Sequence, residues 1–235
     1  MGITTVLFDL DGTLLPMDQD KFVQMYLGML VKKVAPYGFD PKQIVDAIWQ
    51  GTAEMVKNDG SRSNETVFWG EFEKIFGENA RENEKIFQEF YENDFNLAKS
   101  SCGFNEKAKQ VVRQIKKKGL RVALATNPLF PKIATRFRIE WAGLTPEDFE
   151  IYTTYEDSYH TKPNPDYYLE VANRLGVKPE ECLMVGNDVG EDMVAEKVGM
   201  KVFLLTDCLI NKNNDDISKY PNGDFDKLSE YIENI

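Results

Sequence analysis

Two aspartates, Asp9 and Asp11, end a short apolar run and are followed at once by Gly12 and Thr13. Aspartate is depleted in strands, and two carboxylates at this spacing repel each other. Held around a reacting group, such a pair can divide covalent catalysis between them. One carboxylate attacks as a nucleophile, and the other moves protons to the leaving group and from water. The plainer interpretation is a strand that ends in an Asp-Gly turn.

Three further segments carry polar residues at the end of a strand or the start of a helix. These are Thr126 and Asn127 after the run 121–126, Lys162 just before a helix that begins at Asn164, and Asp188 with Asp192 after the run 182–186. In open α/β sheets, ligands bind beyond the carboxyl ends of the strands. We therefore predict that four separate segments bring these side chains to one rim of the protein.

The predicted rim combines four aspartates with a single lysine. Two like charges about 4 Å apart repel by on the order of 4 kcal/mol at an effective dielectric constant of ~20, so one lysine cannot balance the site. A divalent cation can, and Mg²⁺ favours sites that combine a few carboxylates, water and substrate phosphate. The adjacent hydroxyl, amide and ammonium groups suit a transferable phosphoryl group. One of the paired aspartates would then form an aspartyl-phosphate.

The elements that must position these residues follow two different patterns. From residue 99 onward, short apolar runs alternate with amphipathic helical segments, which predicts an α/β fold with a doubly wound parallel sheet. Residues 18–98 break the alternation, because they show helical spacing and are rich in aromatic residues. We therefore predict a Rossmann-like core domain from residues 1–17 and 99–235, with an all-helical domain inserted at 18–98.

Local signals place individual elements. Strands are predicted at 121–126, 149–154, 182–186 and 201–206, and helices at 105–118, 131–141, 164–176 and 190–199, with a last helix from about Asp224. The helix at 164–176 has the clearest ends, with Asn164 as N-cap, Pro165 at the first position and Gly176 past the last turn. Within the insert, the stretch 84–99 places its aromatic residues on one side at helical spacing.

Composition excludes several classes of function. The net charge is −11 over 235 residues, which argues against general nucleic-acid binding. No apolar run approaches the ~18 residues of a membrane span, and the N-terminus does not resemble a signal peptide. The three cysteines are far apart and the chain has one histidine, so we expect free thiols in a reducing cytoplasm and little material for a histidine-based catalytic or zinc site. A small anionic substrate remains compatible with the charge.

Taken together, these residues resemble the four motifs of the haloacid dehalogenase superfamily of phosphatases. The matching residues are Asp9-Leu10-Asp11-Gly12-Thr13, Thr126-Asn127, Lys162 in Lys-Pro-Asn-Pro, and Asp188 with Asp192. They occur in the family's order and cover the whole alternating part of the chain. Two departures are a threonine where the second motif often has serine, and an extra residue, Asn187, before the acid of the fourth motif.

The resemblance implies a role for each position. It makes Asp9 the nucleophile and Asp11 the general acid–base, and it assigns the phosphoryl oxygens to Thr126 and Asn127. Lys162 would neutralise both the nucleophile and the phosphate. Mg²⁺ would be bound by the side chains of Asp9 and Asp188 and the backbone carbonyl of Asp11, with Asp192 as an auxiliary residue of the metal site. The insert would be the helical cap that closes over the site and selects the substrate.

The predicted function is therefore Mg²⁺-dependent hydrolysis of a small, phosphorylated organic metabolite, with neither nucleic acid nor membrane as partner. A sugar phosphomutase on the same scaffold and a non-catalytic binding protein of the same fold remain open alternatives. Arg62, in the polar loop of the insert, contacts the leaving group of the substrate or is an ordinary surface residue. His160 is interpreted as a loop residue rather than a catalyst. The sequence does not predict the oligomeric state.

Overall fold

A five-stranded parallel sheet lies at the centre of the computed structural model, which describes residues 2–235. Its strands are β1 (Thr5–Phe8), β2 (Arg121–Leu124), β3 (Cys182–Gly186), β4 (Lys201–Leu205) and β5 (Asn222–Gly223), in the order β2-β1-β3-β4-β5. The chain moves from β1 to one side and then crosses to the other, so the order reverses between β1 and β3. This confirms the predicted α/β, doubly wound fold and places a ligand crevice at the ends of β1 and β3.

Eight α-helices surround or extend from this sheet within the described residues. They are α1 (Gln19–Val34), α2 (Pro41–Val56), α3 (Asn64–Phe76), α4 (Glu84–Glu89), α5 (Glu106–Lys117), α6 (Lys132–Trp141), α7 (Pro165–Leu175) and α8 (Phe225–Glu233). The caps predicted for α7 are present, because the Asn164 side chain accepts from Asp166 N–H and Gly176 is left-handed. None of the helices described here is long and apolar enough to cross a membrane.

Successive strand residues face opposite sides of the sheet. Val6 and Phe8 pack in the cluster that includes α5, α6 and α8, whereas Leu7 packs in the cluster with α7. Both clusters are fully buried at the sheet, as expected for parallel strands covered by helices on each face. This double covering leaves the carboxyl ends of the strands as the accessible edge.

The helical insert, Gln19–Ser101, is built around aromatic side chains and shares one continuous hydrophobic cluster with the sheet domain, where Phe95 packs on Trp141. Where the chain enters and leaves, Met17 pairs with Cys102 as an isolated antiparallel bridge. Farther out, the loop before α3 docks on the core, because Asn64 N–H donates to Ser158 O at 2.8 Å and Glu65 N–H donates to Tyr155 O at 2.8 Å. The insert is therefore fixed by its connections, by this loop contact and by the packing of its aromatic side chains on the core.

Three predicted elements differ from the structure. The stretch 84–99 is α-helical only in α4 and continues as a π-helix (Phe90–Asp94) and a 3₁₀-helix (Phe95–Ser101). The wider turn changes the direction of the aromatic side chains, and the Phe95 ring stacks on Trp141 at 5.3 Å. Residues 149–154 contact the edge of β2 through a single bridge at Tyr152 instead of forming a regular strand. The segment predicted as a helix at 190–199 is a 3₁₀-helix, Met193–Val198.

Candidate active site

Asp9 lies where the strand order reverses. Its N–H donates to Val185 O of β3 at 2.9 Å, and its side chain is buried, with the residue 7% exposed. The chain then turns back at Gly12, whose φ of +85° suits glycine, and the Thr13 hydroxyl donates to Asp9 Oδ2 at 3.1 Å. The Asp-Gly turn therefore holds the carboxylate of Asp9 at the mouth of the crevice.

Lys162 is the cation closest to this carboxylate in the described chain. Its Nζ lies 2.8 Å from Asp9 Oδ1 and 2.6 Å from Asp192 Oδ1, and the side chain is buried. Burial acts to lower the pKa of Lys162, but the carboxylates of Asp192 and Asp9 raise that pKa well above its usual value. The lysine is therefore a fixed positive charge shared between two acids.

Even so, the lysine does not balance the negative charge around Asp9. Burial, followed by the neighbouring charges of Asp192 and Asp11, raises the pKa of Asp9 from 3.8 to about 7, although Lys162 acts in the opposite direction. Burial is the largest cause of this shift, and one acid of the predicted set, Asp11, has its own cation in Arg138, which the sequence did not predict. A bound cation would remove the remaining deficit of positive charge around Asp9.

Because residue 186 is a glycine, Asp192 has the space it needs to reach Lys162. A Cβ atom at Gly186, the last residue of β3, would lie 2.1 Å from Asp192 Oδ2. The same oxygen accepts from Asp188 N–H at 2.9 Å. Asp192 therefore joins the third and fourth motifs, since one of its carboxylate oxygens binds Lys162 and the other holds the loop of Asp188.

Thr126 and Asn127 follow β2 and face the same crevice edge. The Thr126 carbonyl is fixed by hydrogen bonds from Thr153 Oγ1 at 2.6 Å and Tyr167 OH at 2.8 Å. The Asn127 amide accepts from Lys162 N–H at 3.2 Å through Oδ1 and donates to Glu191 Oε2 at 3.1 Å through Nδ2. Asn127 thus connects the loops that carry the lysine and the fourth motif.

Asp11 is paired with an arginine from the neighbouring helix. Arg138, on α6, is fully buried and forms an ion pair with Asp11 Oδ2 through Nη1. Burial raises the pKa of Asp11, while the positive charges of Arg138 and Lys162 lower it. The other carboxylate oxygen, Oδ1, is buried without a hydrogen-bond partner among the described residues.

Asp188 is directed partly towards its own loop. Its Oδ1 accepts from Gly190 N–H at 2.7 Å and Glu191 N–H at 3.1 Å, and burial raises its pKa. Across residues 2–235, no three His, Cys, Asp or Glu side chains are grouped so that they could hold a metal ion. The predicted magnesium set needs only two carboxylates, from Asp9 and Asp188, with the Asp11 carbonyl, so it stays a prediction. The deficit of positive charge around Asp9 fits such an ion.

Comparison with known proteins identifies the family. The family model of haloacid dehalogenase-like hydrolases matches residues 3–199. The chain belongs to this hydrolase family. The matched range contains all four motifs and the helical insert, so the resemblance predicted from the sequence is confirmed.

Individual relatives align with this chain over nearly its whole length. The hydrolase is 24% identical over 233 residues to the pyrophosphatase PpaX of Bacillus cereus strain AH820, covering 99% of this chain and 96% of that protein. Its fold is similar to a HAD phosphatase from Thermococcus onnurineus, at 21% identity and a TM-score of 0.57, covering 99% and 98% of the two chains. It is also similar to the HAD-hydrolase YfnB from Bacillus subtilis, described as bound to magnesium, at 15% identity and a TM-score of 0.56, covering 99% of each chain.

Four residues of the hydrolase's site were not predicted from the sequence. They are Thr13, Arg138, Asn187 and Glu191. Asn187 Oδ1 accepts from the Thr13 hydroxyl at 2.9 Å, so the extra residue of the fourth motif supports the turn that holds Asp9. Arg138 left a detectable signal, because it is a charged residue on the buried face of an otherwise amphipathic helix.

The two residues whose roles were left open lie where the insert meets the core. Arg62 is exposed in the loop before α3 that docks on the core, which we call the docking loop. Its carbonyl accepts from Asn58 Nδ2 at 2.8 Å. His160 Nδ1 lies 3.1 Å from Glu170 Oε2, and its carbonyl accepts from Asn64 Nδ2 at 3.1 Å. The structure therefore places His160 in the contact between loop and insert, two residues from Lys162.

A cavity of about 480 Å³ lies between the insert and the start of α6. Its walls are mainly apolar and aromatic, and include Tyr26, Trp69, Phe87, Tyr91 and Phe130. The predicted catalytic residues do not line it. Phe130 connects the two regions, because the Arg138 guanidinium carbon lies 4.5 Å from the centre of its ring. Phe130 and Arg138 thus lie between the cavity and Asp11.

Proposed function

We propose that this hydrolase is a Mg²⁺-dependent phosphatase that acts on a small organic phosphomonoester. The observation that carries the proposal is the buried carboxylate of Asp9, held 2.8 Å from the Lys162 ammonium with a second acid, Asp11, two residues along. The relative named as a pyrophosphatase and the structural neighbour named as a phosphatase support phosphoryl transfer. The functional conclusion rests on the site, since a shared fold alone does not fix chemistry.

The chain's own residues account for both half-reactions. An Asp9 oxygen forms a bond to phosphorus while the ester P–O bond breaks, and the Asp11 carboxyl group donates its proton to the departing alkoxide. Water then attacks phosphorus, Asp11 accepts its proton, and the bond from Asp9 to phosphorus breaks to release phosphate. Lys162 and the Thr126–Asn127 segment stabilise the charge that develops on the phosphoryl oxygens.

Mg²⁺ would be held by the side chains of Asp9 and Asp188 and by the Asp11 carbonyl. When bound, it supplies the positive charge that the cluster around Asp9 lacks and helps to orient the phosphate. A bound cation beside Asp9 would favour its ionised form, which is the form that attacks phosphorus.

We propose an organic ester rather than inorganic pyrophosphate as the substrate, and this choice does not rest on the 480 Å³ cavity, which the predicted catalytic residues do not line. We propose that the helical insert acts as the cap, which excludes bulk water and positions the substrate. Pyrophosphate remains the competing substrate because the full-length relative is named for it.

A phosphate-release screen tests the proposal. Purified protein is assayed with p-nitrophenyl phosphate, sugar phosphates, phosphoglycolate, nucleotides and pyrophosphate, with Mg²⁺ and with EDTA. We expect Mg²⁺-dependent turnover of at least one organic monoester, and a loss of about 10³-fold or more in Asp9→Asn. Turnover of pyrophosphate alone would overturn the monoester assignment. Conversion of a hexose 1-phosphate to its 6-phosphate without free phosphate would establish a mutase, and no turnover of any substrate would favour a binding protein.

A further inference from the structure

We propose that Arg138 is a positioning residue for the reaction, which holds the Asp11 carboxylate by one oxygen so that the other faces the reacting group. This inference rests on the proposed function, since it assigns Asp11 the proton-transfer step. Arg138 lies outside all four sequence motifs. It reaches the site from the body of α6, which follows the Thr126–Asn127 segment by only a few residues.

The guanidinium of Arg138 is itself fixed. Its Nε donates to Ala134 O at 3.3 Å, and Nη2 donates to Thr135 Oγ1 at 3.3 Å. The Phe130 ring covers its face at 4.5 Å. These contacts hold the fully buried group while its Nη1 forms the ion pair with Asp11.

The ion pair distinguishes the two oxygens of Asp11. Arg138 binds Oδ2, while Oδ1 is buried and has no partner among the described residues. An unpartnered buried carboxylate oxygen is costly unless another group uses it. A leaving alcohol that delivers or receives a proton at Oδ1 would satisfy it, and the fixed Oδ2 sets the angle at which that atom is presented.

A purely structural role does not explain an arginine here. The position lies on the buried face of α6 beside Ile139 and Ala134, where an apolar side chain of similar length would pack without a desolvation cost. Lys162 is already engaged by Asp9 and Asp192. Within the described residues, the ion pair that Asp11 forms is with Arg138. The charge is thus placed where it controls the orientation of one particular carboxylate.

Steady-state kinetics on a double-mutant cycle test the inference. Arg138→Met is expected to lower kcat by about 10–100-fold on the best substrate, with KM changed less than about threefold, because orientation is lost and binding is not. Arg138→Lys should recover part of the loss, since it keeps the charge. In an Asp11→Asn background, Arg138→Met should reduce kcat by less than about threefold further. The control is Arg174→Met, which removes an arginine of α7 that is paired with Asp157.

Two outcomes would overturn the inference. One is an equal loss of kcat in the wild-type and Asp11→Asn backgrounds, and the other is a change confined to KM. If Arg138→Met does not fold, the same cycle is read with Arg138→Lys. If wild-type protein releases no phosphate, the proposed function has failed, and a crystal structure of Arg138→Lys or Arg138→Met then decides separately. In the variant structure, the Asp11 side chain should have left the position that it holds in wild type. An unmoved carboxylate would refute the inference.

Discussion

Lys162 contacts two carboxylates at once, with Nζ 2.8 Å from Asp9 Oδ1 and 2.6 Å from Asp192 Oδ1. The shorter contact is to Asp192, which has no covalent role in the proposed mechanism. In the proposed mechanism, Asp192 would hold the ammonium in place while Asp9 changes its charge and bonding. This arrangement keeps a cation beside the phosphoryl group at each stage without requiring the lysine to move.

Removal of the lysine should affect stability as well as turnover. Lys162→Met leaves Asp9 and Asp192 buried without their cation, so we expect a loss of about 3–5 kcal/mol in the free energy of unfolding together with loss of activity. Chemical denaturation at neutral pH measures this loss. The double variant Lys162→Met/Asp192→Asn should recover part of the stability but none of the activity. Equal stability of the single and double variants would contradict the shared ion pair.

Asp9 should give the metal-free protein a characteristic pH dependence. Its pKa is raised from 3.8 to about 7 on folding, so the folded state binds the proton more tightly. The stabilisation is complete below about pH 4 and is lost as pH rises through about 7, a change of up to about 4 kcal/mol in the free energy of unfolding. Denaturation of EDTA-treated protein across this range should show the decline.

The matched variant for this experiment is Asp9→Asn, which should flatten that part of the profile. Added Mg²⁺ should raise the melting temperature of wild type more at pH 8 than at pH 5, because it binds the ionised carboxylate. The same addition should have a smaller effect on Asp9→Asn. A metal response that is identical in both proteins would place the ion away from Asp9.

Gly186 should not tolerate a methyl group. In Gly186→Ala the new Cβ would lie 2.1 Å from Asp192 Oδ2, an atom also fixed by Asp188 N–H. We expect a loss of about 1–3 kcal/mol in stability and a large fall in kcat, because Asp192 is displaced from Lys162. Thermal denaturation and phosphate release measure the two effects. Gly28→Ala, within α1 and with no atom within 4 Å of the new Cβ, is the control and should stabilise by about 0.5–1 kcal/mol.

The docking loop depends on one buried amide. Asn64 is fully buried, accepts from Asn58 Nδ2 at 2.9 Å, and donates to the carbonyls of Pro128 and His160. Asn64→Ala leaves these groups unpaired and should cost about 1–3 kcal/mol. Because the loop fixes the insert beside Lys162, KM should rise as well. Asn93→Ala, an exposed asparagine with a single local hydrogen bond, should change neither quantity.

The sequence predicted the sheet and its rim well because both depend on local signals. Apolar strands that end in polar residues, and caps such as Asn164 and Gly176, are encoded within a few positions. The rule that functional groups gather at the carboxyl ends of parallel strands predicted that Lys162 and Asp9 share one rim, and the family resemblance predicted that the lysine neutralises Asp9. The family motifs then assigned roles that spacing alone left open.

The rest required knowledge of how distant surfaces meet. The ion pair between Arg138 and Asp11 joins residues 127 positions apart, and no periodicity in either segment indicates it. The π-helix at Phe90–Asp94 depends on the packing of its aromatic rings rather than on propensity. The hydrogen bond from Thr13 to Asn187 likewise arises from tertiary structure, although the extra residue in the fourth motif marked the position.

The bridge between Met17 and Cys102 brings the two ends of a segment of more than eighty residues side by side. A segment whose ends are neighbours can be lengthened, shortened or exchanged for another without moving the strands on either side. If the insert is the cap that we propose, exchanging it at this junction would change substrate choice and leave the residues next to β1 in place. The same junction gives protein engineers a natural site at which to graft a foreign lid onto this hydrolase.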